Sequence, residues 1–309
     1  MWSNVVVVAE QVAVLFILIA VGFISGKTVL ITESGAKHLT NVVLYLATPC
    51  IMVKSFQKVK FSPELLLNLA VCALCAFAIQ ILSVIICRLI FRSKDESRRI
   101  VMRFAAVFSN CGFMSLPLQQ AILGDTGVFY GTVFVASFNI IVWSYGLLDM
   151  SGDKVGFDIK KIILNPGVLG ASAALLLFLL KIQLPEVLLS PIEYIAGLNT
   201  PLPMLVIGFY LTRFKFKDSV CDLGIYAVSA VRLLLIPCAA LFVMKLCSVD
   251  TDIIVSCTIA ASAPVAATTT MFAAKFNRDA DLSVGLVSVT TILSIITMPV
   301  IIALAQTIG

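Results

Sequence analysis

The sequence predicts an all-α integral membrane protein of ten transmembrane helices, and three observations carry that prediction. Apolar residues make up 60% of the 309 residues and charged residues only 13%, about half the charged share of a soluble domain. The mean hydropathy is +1.07. The apolar residues fall into runs separated by short polar connections, and a spanning helix needs about 20 such residues. A soluble enzyme domain, a disordered chain and a nucleic-acid binder are excluded together. The net charge of +5 sits in short clusters between apolar runs, where it works as an orientation signal.

The first five spans are read at 5–25, 39–56, 64–91, 100–122 and 126–149. The N-terminus MWSNVVVVAEQ has no basic stretch and its apolar run is too long for a signal-peptide core, so it is a retained first span. The second span is short and interrupted by Thr48-Pro49, and the third is a long uninterrupted run. The fourth reads AVFSNCGFMSLPLQQ, and Gly124-Asp125 makes the turn into the fifth. The second five are read at 161–181, 187–211, 219–246, 252–274 and 281–306, the seventh again interrupted by prolines. Cys72 and Cys75 form a C-x-x-C inside AVCALCAFAIQ; without polar surroundings they read as core-filling residues rather than a redox pair.

Ten spans make a prediction about charge. The connection between spans three and four carries Arg88, Arg92, Lys94, Arg98, Arg99 and Arg103 and is placed in the cytoplasm. With Lys27, Lys37, Lys154, Lys160, Lys161, Arg213, Lys215, Lys217, Lys275 and Arg278, the cytoplasmic side holds 16 basic residues. The other side holds Lys54, Lys58, Lys60, Lys181 and Lys245, and Arg232 lies within a span. Both termini are then extracytoplasmic, in the inner or plasma membrane.

The chain divides into two halves, 1–150 and 151–309, that superpose at an offset of 152. Thr48-Pro49 falls on Thr200-Pro201, Met52 on Met204, and Gln80 on Arg232. Ser109-Asn110-Cys111-Gly112 falls on Ala261-Ser262-Ala263-Pro264. Five spans per half is an odd number, so the second half enters the membrane inverted. Inverted repeats are a transporter signature, with the substrate near the midplane where discontinuous helices meet.

Two spans carry the residues suited to chemistry. In the fourth, Asn110 and Gly112 are poor helix formers and Pro117 removes an amide donor. In the ninth, IAASAPVAATTTMFA, Pro264 is preceded by small residues and followed by Thr268, Thr269 and Thr270. Amides freed at the start of each second half-helix present positive dipole ends that bind carboxylates. The plainer reading is that proline and glycine kink membrane helices and small residues pack them; two breaks at corresponding positions weigh against it. The threonines can also bond back to their own helix, which ranks them below Asn110.

A buried Arg232 costs about 2.5–3.5 kcal/mol at a helix centre, so it must face protein or water. A functional role and a counter-charge role stand equal for it. Gln80 and Asn139 are intramembrane amides that either orient substrate or pin helices. Glu10 reads as an interfacial carboxylate, and His38 as a connection residue. A single histidine excludes H-E-x-x-H zinc chemistry. No Walker G-x-x-x-x-G-K-[ST] occurs, which leaves secondary or passive transport. No cofactor, metal site or enzyme activity is expected.

The segments AVGFISGKTVL, LTNVVLYLATPCIMVKSF, FSNCGFMSLPL, LNPGVLGASAALLLFLL, ASAPVAATTTMFAAKFNRD and SVTTILSIITMPVIIAL resemble the auxin efflux carrier family, which includes plant PIN proteins and bacterial malate and malonate permease-like proteins. The resemblance implies a fold shared in outline with the sodium–bile acid symporters, in which helices four and nine are broken and cross. It implies a scaffold from helices 1, 2, 6 and 7, a moving transport domain from helices 3–5 and 8–10, a homodimer, and elevator-like transport of small organic anions. It places Asn110, Gly112 and Pro264 at the crossover, with Ser262 and Ala263 beside the substrate. The expected substrate-binding set is Asn110, Cys111, Gly112, Phe113, Ser262, Ala263, Pro264, Thr268, Pro49 and Asn139, with Gln80 and Arg232 as polar groups of the transport domain. The chain departs from many relatives in having Ala-Ala-Thr-Thr-Thr rather than an Asn after Pro264, and it lacks a long hydrophilic central loop. The expected partners are a small organic anion, a proton or sodium ion, and the lipid bilayer, with no nucleic acid. The alternatives are a sodium-coupled symporter of the bile-acid type and a sensor that binds an anion without moving it.

Overall fold

A computed structural model describes residues 2–152, 160, 163–213 and 222–308. Lys154, Lys161, Lys215 and Lys217 of the cytoplasmic set lie outside the described residues. Among the described residues every regular element is a helix. Its helices are α1 (Trp2–Lys27), α2 (Glu33–Lys58), α3 (Pro63–Ile90), α4 (Glu96–Val107), α5 (Cys111–Ser151), α6 (Pro166–Leu179), α7 (Glu186–Leu211), α8 (Leu223–Leu246), α9 (Thr251–Ser262), α10 (Thr268–Lys275) and α11 (Ala280–Ile308).

Seven of these, α1, α2, α3, α5, α7, α8 and α11, are long and apolar enough to cross a membrane. The difference from ten has local causes. α5 joins two of the expected spans across Gly124, whose φ of 64° and ψ of −148° make the turn and favour glycine. α6 and α9 are apolar but only 14 and 12 residues long. α7 is itself interrupted at residues 198–200, where Pro201 opens its second limb.

Three prolines shape their helices without ending them. The turns Val43–Ala47, Cys111–Ser115 and Val231–Leu235 are π-helical, and Pro49, Pro117 and Pro237 follow each of them two residues later. A proline lacks an N–H and crowds the carbonyl four residues back; widening the preceding turn relieves both. In the fourth such turn, Val142–Gly146, the Ser144 hydroxyl donates to the Ile140 carbonyl at 2.6 Å and takes up a ladder acceptor instead.

The helices pack at close quarters. α1 runs along the second limb of α7, where a side chain at Gly22 would collide with the Leu205 backbone and one at Gly208 with the Ile19 carbonyl. α2 packs on α6, α9 lies between α5 and α11, and α3 lies along α5. Phe104, Phe108, Phe138 and Phe272 form a ring-to-ring chain, with Phe104 and Phe108 at 4.5 Å.

Several connections of the basic set are tied to one another. Arg98 meets Asp222 at 2.5 Å, Arg278 meets Glu96 at 3.3 Å, Arg213 meets Glu33 at 2.9 Å and Arg88 meets Asp149 at 3.9 Å. The Arg98 guanidinium hydrogen-bonded to Asp222 holds that carboxyl below its ordinary range. On other connections, Lys58 pairs with Glu193 at 2.7 Å, and Gln57 bridges the Ile182 carbonyl and the Leu184 N–H.

Candidate functional site

The site is built where two helices stop and restart. α4 ends at Val107 because Phe108 is extended, with φ −98° and ψ 110°. Helical geometry resumes at Cys111. α9 ends at Ser262 because Pro264 excludes helical geometry from the residue before it; Ala263 has φ −62° and ψ 148°. α4 and α9 are each 12 residues long. The second break spans 263–267, slightly later than a constant offset of 152 places it, because the break follows the proline.

The two breaks meet as a single antiparallel bridge between Ser109 and Val265. The Asn110 N–H donates to the Pro264 carbonyl at 2.7 Å, and the Ala266 N–H donates to the Phe108 carbonyl at 3.0 Å. The Val265 N–H donates to the Thr290 hydroxyl of α11 at 3.1 Å. Unpaired backbone groups cost several kcal/mol each away from water, and the breaks satisfy one another. Sequence reasoning did not single out Thr290. The hydroxyl-rich stretch Ser288–Thr291 was visible, but nothing local distinguishes the residue that faces the crossing.

The opening of α5 has the features of an anion site. The amides of Cys111, Gly112 and Phe113 stand at a helix start, where no preceding carbonyl of the helix can pair with them. Gly112 faces open space: a Cβ there would meet nothing within 4 Å. Asn110 is 7% exposed, and its carboxamide caps no amide of the helix it precedes. Cys111 is buried beneath this opening, while Gly112 and Phe113 are half-buried.

On the opposing break, Ser262 donates to the Ile259 carbonyl at 3.1 Å, and Ala263 and Pro264 are buried against the bridge. Thr268 begins α10, and its buried hydroxyl has no protein partner. The structure therefore gathers Asn110, Cys111, Gly112, Ser262, Ala263 and Pro264 around one crossing, with Phe113 and Thr268 on the half-helices that leave it.

Pro49 and Asn139 have other surroundings. Pro49 lines an apolar cleft of about 360 Å³ with Tyr45, Cys50, Val53, Gly170 and Ile192. Asn139 donates to the Val135 carbonyl of its own helix at 2.9 Å and lies against Gly167 at the start of α6.

Arg232 and Gln80 come together. Both are buried, and both line a narrow crevice, too tight to admit a water molecule, with Ser83, Val107, Ser109 and Phe138. The Arg232 Nη1 donates to the carbonyls of Ala106 and Val107 at 3.1 and 2.8 Å, and its Nη2 donates to the Ala261 carbonyl. The Gln80 carboxamide and the Arg232 Nε have no protein partner. Among the described residues no carboxylate lies within ion-pair distance of Arg232. Among them, too, no group of histidine, cysteine and carboxylate side chains is placed to hold a metal.

A helix crossing of this kind in a chain of apolar helices points to transport, and comparison with known proteins decides the family. Residues 7–160 and 154–302 match the family described as membrane transport protein. The chain belongs to that family, the auxin-efflux-carrier-like one its motifs resemble. An uncharacterized transporter of Methanothermobacter thermautotrophicus is 25% identical over 303 residues, covering 94% of this chain and 96% of the relative. A second uncharacterized transporter, from Methanocaldococcus jannaschii, is 27% identical over 226 residues, 68% of this chain and 71% of the relative. As a member of the membrane transport family the chain is a multi-pass protein of the lipid bilayer. The crossing of α4–α5 with α9–α10 is thus a candidate site for a transported solute rather than for a reaction.

Proposed function

We propose that the protein is a secondary or passive transporter of small organic anions, and that the anion's carboxylate binds at the crossing. One observation carries this reading: α5 starts at Cys111, where its first amides have no acceptor within the helix, and Gly112 in that first turn faces open space, beside an uncommitted Asn110 carboxamide. Helix starts attract negative charge through their amides and dipole. No cationic side chain is needed at the opening.

In this reading the chain crosses the membrane ten times as two inverted five-helix repeats. The fourth crossing is made by α4 with residues 111–123, the fifth by residues 125–151, and the ninth by α9 with α10. The pairing of Glu33 with Arg213, and of Arg98 with Asp222, supports a common side for those connections, and their excess of Lys and Arg makes that side cytoplasmic and both termini outward. Elevator-like movement of helices 3–5 and 8–10 against a dimeric scaffold of helices 1, 2, 6 and 7 completes the proposal. The Asn139–Gly167 contact lies where helices of the two groups meet, whereas the cleft at Pro49 is lined by helices of the scaffold alone.

Uptake of a panel of labelled carboxylates by purified protein in proteoliposomes tests this, with sodium, proton and voltage gradients imposed in turn. The expected result is saturable uptake that falls in Asn110→Ala while thermal unfolding is unchanged. Folded protein that takes up no acid in the panel refutes the carrier reading; saturable binding in that case would make it a sensor.

A further inference from the structure

We infer that Arg232 is a resident cation of the crossing, whose guanidinium does for the carbonyl ends of α4 and α9 what a bound sodium ion would otherwise do. The inference rests on the anion-carrier reading and deepens it: the crossing carries its own positive charge and needs no sodium.

The last carbonyls of a helix have no intrahelical donor, and each helix end carries about half a negative charge. α4 and α9 bring two such ends to one point, at Val107 and Ser262, within a membrane protein where no bulk water relieves them. In transporters with discontinuous helices, such carbonyl ends are where sodium is coordinated. Here the place is filled. The Arg232 guanidinium donates to carbonyls of both helices, to Ala106 and Val107 of α4 and to Ala261 of α9.

The charges balance: two ends of about −0.5 each face one cation, and no carboxylate among the described residues competes for it. A planar guanidinium keeps its charge and offers donors in a fixed fork, which lets one group reach two helices at once. The π-helical turn Val231–Leu235 holds the residue in place from α8. The space around it, lined also by Gln80 and Ser109, leaves no room for a water between them. The anion-attracting helix start and the cation-holding helix ends therefore lie on the same crossing, each with its own charge partner. Arg232 is a positioning residue: it acts on the anion through the two half-helices, and its Nη atoms are already committed to carbonyls.

The test uses the full-length protein in proteoliposomes and in detergent. Wild-type uptake should be unchanged when sodium is replaced by choline. Arg232→Ala should lose about tenfold or more of its uptake, the effect of stripping buried acceptors of a charged donor. Millimolar guanidinium or sodium should then restore part of it saturably, and Arg232→Lys should retain more than Arg232→Ala. In thermal unfolding, low guanidinium should raise the melting temperature of Arg232→Ala relative to choline at equal ionic strength, and leave wild type unmoved. Wild-type uptake that requires sodium would overturn the inference. So would wild-type activity in Arg232→Ala, or a folded Arg232→Ala whose uptake and melting ignore every cation. Should Arg232→Ala fail to accumulate, Arg232→Gln and the wild-type choline arm decide. Failure of the carrier reading shows itself separately, as absent wild-type uptake, and the melting arm still judges Arg232.

Discussion

Gly112 offers the sharpest test of where the anion sits. It is the second residue of the helical turn that opens α5, half-buried, and a Cβ built on it touches nothing within 4 Å. Gly112→Ala therefore adds a methyl group to open space in a helical position, a change that stabilises a helix by about 0.5–1 kcal/mol. Gly112→Leu fills the space itself. If that space holds a carboxylate on the amides of residues 111–113, each hydrogen bond to the charged acceptor is worth about 1.5–3 kcal/mol. Displacing one such bond should raise the apparent KM about 10- to 100-fold. Initial uptake rates across substrate concentration give KM, and the intrinsic fluorescence of the two tryptophans, Trp2 and Trp143, follows unfolding. Both variants should melt at or slightly above wild type while KM rises, least in Gly112→Ala and most in Gly112→Leu. An unchanged KM in Gly112→Leu refutes the placement of the anion, and a melting temperature that falls in step with uptake shows that the space serves packing.

Three further outcomes follow from the same geometry. Thr290→Val keeps the shape of α11 but strips the acceptor from the Val265 N–H, which should destabilise the protein by about 1–3 kcal/mol; equal melting of variant and wild type would show that the bond is dispensable. Pro264→Ala frees Ala263 to continue α9 and should impair uptake by unravelling the Ser109–Val265 bridge, whereas unaltered kinetics would reduce the proline to a simple kink. Asp222→Asn leaves α8 an equally good cap but removes the charge that pairs with Arg98, and should destabilise by about 1 kcal/mol or less at neutral pH because the pair is partly exposed. Because Arg98 holds the Asp222 carboxyl below its ordinary value, this contribution is in force above the ordinary carboxylate pKa of about 3.9. It fades as pH falls through the lower folded value, so the gap between variant and wild type should close in strong acid; a gap independent of pH would assign it to something other than charge.

The sequence made the breaks legible because their causes are local. Asn110 and Gly112 are poor helix formers, and Pro264 dictates the conformation of Ala263, so both interruptions could be placed to within a few residues. The turn at Gly124 was legible for the same reason. What the two breaks do to each other was not. The bridge from Ser109 to Val265, the choice of Thr290 over its hydroxyl neighbours, and the reach of Arg232 to Ala106, Val107 and Ala261 all depend on packing between distant helices, which leaves no periodic mark. Gln80 and Arg232 matched at the repeat offset and do share one space, yet nothing in that match foretold that the arginine would turn to backbone carbonyls. The lengths of α6 and α9 were also hidden, because an apolar run does not announce where helical geometry stops inside it.

The bridge has a consequence in time. Ser109 finds its partner only at Val265, 156 positions further along the chain, and at about 5–20 residues per second a ribosome needs about 8–30 s to make that stretch. Throughout that interval the backbone polar groups at 108–110 are without the partners they have in the finished protein, in or beside hydrocarbon. The fourth span is therefore the last part of the early chain able to settle, although it is among the first to be made. Insertion of this transporter should include a waiting period in which Phe108–Asn110 lean on water, lipid headgroups or the insertion machinery, and a lesion in α9 should be felt first as a failure of α4 and α5 to stay in place.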